Sequence, residues 1–86
     1  MKSKYIIGEI ATSPSGLEIM VAVIFPESIP HADMAKMFLK DSIISAGFVG
    51  FNTDGRPFSY DKSIGLGIES RGMKDTGFLE IALGMR

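Results

Sequence analysis

Lys4-Tyr-Ile-Ile-Gly-Glu-Ile-Ala-Thr12, Ser13-Pro-Ser-Gly16 and Leu17-Glu-Ile-Met-Val-Ala-Val-Ile-Phe25 form the continuous stretch on which the fold turns. The two outer runs are rich in Ile, Val and aromatic side chains, which suit a pleated, half-buried surface, and the four residues between them are turn formers. Together they read as a β-hairpin. In the second run Leu17, Ile19, Val21, Val23 and Phe25 share one face, while Met20, Ala22 and Ile24 take much of the other. Neither face is polar enough to meet solvent, so a central strand is expected.

Working outward, Pro26 ends that strand, Ser28 is a good helix N-cap, Pro30 is tolerated in a first turn, and Asp33 suits the positive end of a helix. The spacing predicts a helix from about Ile29 to Ser45. Met34, Ala35, Phe38, Leu39 and Ser42 fall on one side and Asp33, Lys36 and Lys40 on the opposite one. Ile43 and Ile44 leave that stripe, which implies that both flanks of the last turn are covered. Gly47 reads as the left-handed cap. Phe48 to Phe51 is then a short strand, Asn52-Thr53-Asp54-Gly55 a turn that opens a polar stretch to Lys62, and Ser63 to Ser70 an alternation of Ile64, Leu66 and Ile68 against Gly65, Gly67 and Glu69. Phe78 to Leu83 is either a strand paired through Arg71–Gly77 or a short helix capped by Asp75 or Thr76 and closed by Gly84, with Met85 folding back. Its Leu, Glu and Ala favour helix.

Two β-β-α units follow from this reading. The expected class is α+β, a roughly four-stranded, mostly antiparallel sheet with helices on one face; the alternative is one helix on a sheet that ends in a C-terminal β-hairpin. Residues 1–86 make a single small domain, and a chain this short removes only roughly 60–65% of its extended surface from water. With 45% hydrophobic and 22% charged residues the balance is globular, and a net charge of −1 exerts no overall pull on nucleic acid or anionic lipid. Cysteine is absent, which excludes a disulfide framework, a thiolate nucleophile and thiolate metal centres, and suits a reducing compartment. Met1 to Lys4 has the charge of a leader's start, but Gly8 and Glu9 interrupt the apolar stretch behind it. The longest apolar run, Ile19 to Phe25, is far below the roughly 18–20 residues that span a bilayer. A soluble, cytoplasmic chain without membrane contact is expected.

The chemistry-bearing residue types form no catalytic pattern. His31 is the only histidine, and His31-x-Asp33 falls short of the three or four ligands of a stable metal site; a His in a first helical turn is more often exposed or capping. No G-x-S-x-G or S-x-x-K occurs. Asp54 and Asp61 flank a loop, where turn formation is their commoner use. Gly65-x-Gly67 lacks the third glycine and the Lys-Ser/Thr of a phosphate loop. Neither catalytic residues, nor a metal, nor a cofactor are therefore expected. Gly47–Phe51 and Tyr5–Gly8 share composition with the aromatic strand motifs of RNA-recognition domains, but a second strand follows the first where that fold requires a helix. Scattered cations (Lys2, Lys4, Arg56, Lys62, Arg71, Lys74 and Arg86) and a single Asn disfavour nucleic acid. Six Met are many for 86 residues; Met34 with Met37 resembles the adaptable surface of a partner groove, and core filling is the commoner use of such residues.

The expected function is that of a small non-enzymatic protein-binding or regulatory module acting as a homodimer on a larger protein partner. The rival functions are a nucleic-acid-binding dimer and a small-molecule-binding domain. The dimer is expected, through the uncovered sheet face or through edge-strand pairing, because two helices cover one face of a four-stranded sheet, leaving Ile6, Ile10, Met20 and Ile24 on the other. The chain direction places the Asn52–Lys62 loop beside Glu27 and His31, and marks Arg56, Phe58, Tyr60, Asp61, Lys62 and His31 as partner-binding residues, Arg and Tyr being types enriched where interfaces gain their energy.

Overall fold

A computed structural model describes residues 2–85; Met1 and Arg86, counted above in the leader-like start and among the cations, lie outside them. The hairpin is present as β1 (Ser3–Thr12) and β2 (Glu18–Pro26), joined by a turn in which the Ser13 amide donates to the Leu17 carbonyl at 2.7 Å. There follow α1 (His31–Met34) with a short 3-10 helix (Ala35–Met37), β3 (Ile43–Phe51), β4 (Pro57–Tyr60), the two-residue strands β5 (Lys62–Ser63) and β6 (Ile68–Glu69), and α2 (Met73–Ala82). The main sheet is four-stranded and antiparallel in the order β2-β1-β3-β4, with β5 and β6 as a small second sheet. The chain is thus a small α+β fold, and its C-terminal segment is a helix, as the leading reading has it. That helix starts at Met73 and not Phe78, so Asp75 and Thr76 lie within its first turns and do not cap it. α2 closes as expected: the Gly84 amide donates to the Ile81 carbonyl and the Met85 amide to that of Glu80, which satisfies two of the last carbonyls.

Four further expectations change. The helix over Ile29–Ser45 stops at Met37, because residues 39–42 dock on β1 instead: the Leu39 amide donates to the Glu9 carbonyl at 2.8 Å, and Ser42 Oγ donates to the same oxygen at 2.9 Å. Ile43–Ser45 and Gly47 consequently belong to β3, with Gly47 in extended backbone opposite Tyr5, not in a left-handed cap. Ser63–Ser70 holds only the first residue of its span and the last pair before Ser70 in strands, the middle being a turn whose Gly67 amide donates to the Ser63 carbonyl. β2 is an edge strand, and β1 with β3 fills the centre.

The fourth change concerns the layers. α2 covers one face, where Leu79 meets the buried Tyr5, Ile7 and Val49 with Met20, Ala22 and Ile24 around them. Met34, Ala35 and Phe38 cover the other with Leu66 and Ile68, against Ile6, Phe25 and Ala46. The helices divide between the faces, so Ile6 and Ile10 do not share a surface with Met20 and Ile24, and no whole sheet face is left to a second subunit.

Candidate functional site

The register of β3 against β4 builds the site. A five-residue turn, closed by the Asn52 amide donating to the Arg56 carbonyl at 2.8 Å, sets Phe51 opposite Pro57, Gly50 opposite Phe58 and Phe48 opposite Tyr60. Phe48, Phe58 and Tyr60 therefore stand on the α1 face as one row. Phe48 and Tyr60 stack with centroids 5.9 Å apart, and Phe58 leans on Tyr60 at 5.6 Å. Phe58 folds over Gly50, where a Cβ would meet its ring, and stays 39% exposed. The row continues inward edge-to-face through His31 to Phe25, with centroids 5.8 and 5.4 Å apart. Lys2 sets its ammonium 5.9 Å over the Phe48 ring.

Beside the row lies a cavity of about 380 Å³ lined by Lys4, Pro30, His31, Ala32, Phe48, Asp61, Lys62, Ile64 and Gly65. That volume is in the range of ordinary ligand sites, and the walls are mostly apolar with three charges at the rim. Lys4 is tethered by donation to the Ile29 carbonyl at 3.0 Å, and Ile64 is 86% exposed at the lip.

His31 is buried, and its Nε2–H donates to the Gly47 carbonyl at 2.9 Å. Burial pushes its pKa below the usual 6.5, the nearby Lys4 charge adds to the drop, and the Gly47 and Tyr5 carbonyls oppose it. The unfolded chain therefore takes up the proton first. The stability lent by neutral His31 is complete above the unfolded value and is lost as pH falls through 6.5 toward the folded value. Between about pH 7.5 and 5.5 the urea midpoint is expected to fall in the wild type and to fall less in His31→Phe, which keeps a ring in place without a titrating group. An equal fall in both proteins would remove His31 as its source.

Of the six residues singled out from sequence, His31, Asp61 and Lys62 meet at the cavity, and Tyr60 and Phe58 extend it as the stacked row. Arg56 goes elsewhere: its Nη1 lies 3.1 Å from Glu80 of α2, and its Nε lies 3.8 Å from Asp54. Glu27 does not line the cavity. Sequence reasoning missed Phe48, Lys4 and Ile64. The Phe48–Tyr60 pairing was available from the length of the Asn52–Arg56 turn, which dictates the register; the approach of Ile64 depends on the β5–β6 turn and carries no local signal.

Among the described residues no three of His, Asp and Glu gather as a metal-ligand set, and no helix is long and apolar enough to cross a membrane. The other perturbed pair is structural. Asp75, fully buried, accepts from the Arg71 amide (2.9 Å), Arg71 Nε (2.6 Å) and the Tyr5 hydroxyl (2.5 Å), with Ser70 Oγ 2.7 Å from the same hydroxyl. No protein-family model, no curated protein and no solved structure matches this chain.

Proposed function

We propose that the chain is a non-enzymatic protein-binding module of the cytoplasm that acts as a homodimer on a larger protein partner, with the Phe48–Tyr60–Phe58 row and the adjoining cavity as its docking face. The observation that carries this reading is the half-exposed aromatic row beside a mostly apolar hollow with Lys62 at its rim. Rigid aromatic rings contribute large contact area at low entropic cost, and a pocket of this size takes one apolar or aromatic side chain of a partner. A neighbouring carboxylate on that partner would meet Lys62. The non-enzymatic part rests on how the perturbed groups are used: His31 is held by a backbone carbonyl, and Asp75 is enclosed by Arg71 and Tyr5.

A second reading has its own observation. Lys2 over Phe48, with Lys4 and Lys62 nearby, sets cations beside stackable rings, as single-stranded nucleic acid requires. Asp61 at the same rim and Glu69 opposite Lys62 weigh against it.

The test is affinity capture in the native host with wild type and Phe58→Ser/Tyr60→Ser, followed by binding of the purified partner to both. Loss of at least tenfold in affinity with the melting temperature kept within a few degrees is the expected result. Equal affinity in the two proteins overturns the docking face, and binding of an oligothymidylate that weakens steeply with salt replaces the protein reading with the nucleic-acid one.

A further inference from the structure

We propose that the open edge of β2 pairs with the same edge of a second copy of this chain, antiparallel about a two-fold axis through Ala22, to form a continuous eight-stranded sheet. This deepens the dimeric part of the reading above, and it stands on the contrast between the two edges of the sheet. At the β4 edge the strand has four residues, begins with Pro57, which has no amide hydrogen, and has its Ser59 amide taken by Thr76 Oγ1 of α2 at 3.0 Å. That edge is closed. The β2 edge has nine residues and pairs with β1 alone, and among the described residues no side chain hydrogen-bonds the backbone of residues 19–25. From Ile19 to Phe25 it carries neither a charge nor a proline, the usual devices that keep an edge from pairing.

The closed β4 edge also selects the occupant. Head-to-tail addition of β2 to β4 would need the edge that Pro57 and Thr76 close, so the two copies are left with the isologous β2–β2 contact. The sequence of β2 then suits its own reverse. With the axis at Ala22, the midpoint of the uncharged run, Ile19 meets Phe25, Met20 meets Ile24 and Val21 meets Val23. Glu18 falls opposite Pro26 and Glu27 lies beyond the run, so no carboxylate faces another. Sliding the mates until Glu18 opposes Glu18 sets like charges together and leaves most of the apolar run unpaired. Met20, Val21, Ala22, Val23 and Ile24 are only half-buried in the single copy, as strand residues awaiting a neighbour are. The two-fold keeps α2 of both copies on one side of the sheet, and the two docking faces lie beyond opposite ends, β4 to β4 roughly 34 Å apart at ~4.8 Å per strand. A partner with two copies of its own motif would be held by both.

The experiment reads mass and cross-linking of the purified chain alone, so it can fail without touching the docking face. The absence of cysteine makes a single introduced thiol unambiguous. Ala22→Cys is expected to form a disulfide dimer on mild oxidation, since directly opposed strand residues lie within bridging distance. Ile19→Cys is expected not to, because its mate is six residues along the strand, about 20 Å away. Sedimentation equilibrium at micromolar concentration should give twice 9.3 kDa for the wild type and 9.3 kDa for Ile19→Lys, a change at a 42% exposed position that leaves the circular dichroism and melting of a folded chain. A wild-type mass of 9.3 kDa, or cross-linking of Ile19→Cys as readily as Ala22→Cys, overturns the proposal.

Discussion

Replacing Asp75 by alanine is expected to remove about 3 kcal/mol of folding stability, out of the roughly 4–13 kcal/mol a chain of this length holds. The carboxylate is fully buried and accepts three hydrogen bonds, two from Arg71 and one from Tyr5, which tie the start of α2 to the centre of the sheet. Removing it takes the charged acceptor from the Tyr5 hydroxyl, which sits on a fully buried residue and is left with Ser70 Oγ as a partner. Arg71 keeps 31% of its side chain exposed and regains water, which puts the loss at the lower end for a broken buried pair. Asn keeps an acceptor without the charge, so Asp75→Asn should cost about half as much, and Tyr5→Phe about 1 kcal/mol. Burial works to raise the Asp75 pKa, and the Arg71 amide, the Tyr5 hydroxyl and the Arg71 guanidinium overcome it and hold it below 3.8. The same contact, after burial, raises the pKa of Tyr5 far above 10.0. Because the folded carboxyl pKa is depressed, its contribution is present above the unfolded value and is lost as pH falls through 3.8 toward the folded one. Urea titrations at neutral pH and below about pH 4 should show the acid loss in wild type and a smaller one in Asp75→Asn. An Asp75→Ala protein within about 0.5 kcal/mol of wild type would mean that the cluster holds nothing together.

What could be read from the chain followed the range of the forces involved. The hairpin and the closure of α2 are local: Ser13–Gly16 and Gly84 act within a few residues, and the structure keeps both. The long helix over Ile29–Ser45 failed at Leu39, whose amide is taken by the Glu9 carbonyl, a partner 30 positions earlier that no helical pattern reveals. Ile43 and Ile44 held the one warning. Two β-branched residues that leave the apolar stripe fit a strand better than a last helical turn, and they begin β3. The two-sided apolar character of β2 suggests a central strand, whereas it marks an edge strand packed under α2 on one face and near α1 on the other. Of the site, the aromatic residues were visible as types in Asn52–Lys62, but the separation of Arg56 from Tyr60 was not. Arg56 lies in the turn ahead of β4, where strand alternation does not set its direction, and the packing of α2 against β4 brings its guanidinium to Glu80.

Gly47→Ala is the second large expected effect, about 2–3 kcal/mol, and it falls on the site itself. A Cβ at Gly47 would lie 2.6 Å from the Tyr60 carbonyl oxygen, 3.2 Å from Ser70 Cβ and 3.4 Å from the Asp61 carbonyl oxygen. Two of those atoms are backbone, so relief requires β4 and the segment after it to move away from β3. Gly50 in the same strand is the matched control. Its missing Cβ would meet only the ring of Phe58, which is 39% exposed and can swing into solvent, so Gly50→Ala should cost about 1 kcal/mol or less while unseating Phe58 from the row. In Gly47→Ala the displacement reaches further, because the Gly47 carbonyl accepts the His31 hydrogen bond and the atoms crowded by the new methyl belong to Tyr60 and Asp61. The stacking of Tyr60 on Phe48 and the distance of Asp61 from His31 should both change, visible as shifts in the Tyr60 and His31 ring resonances along with the lowered urea midpoint. If Gly47→Ala proved as stable as Gly50→Ala with those resonances unmoved, the strands would have room for a side chain at Gly47. The wall of the cavity would then be set by something other than that close approach.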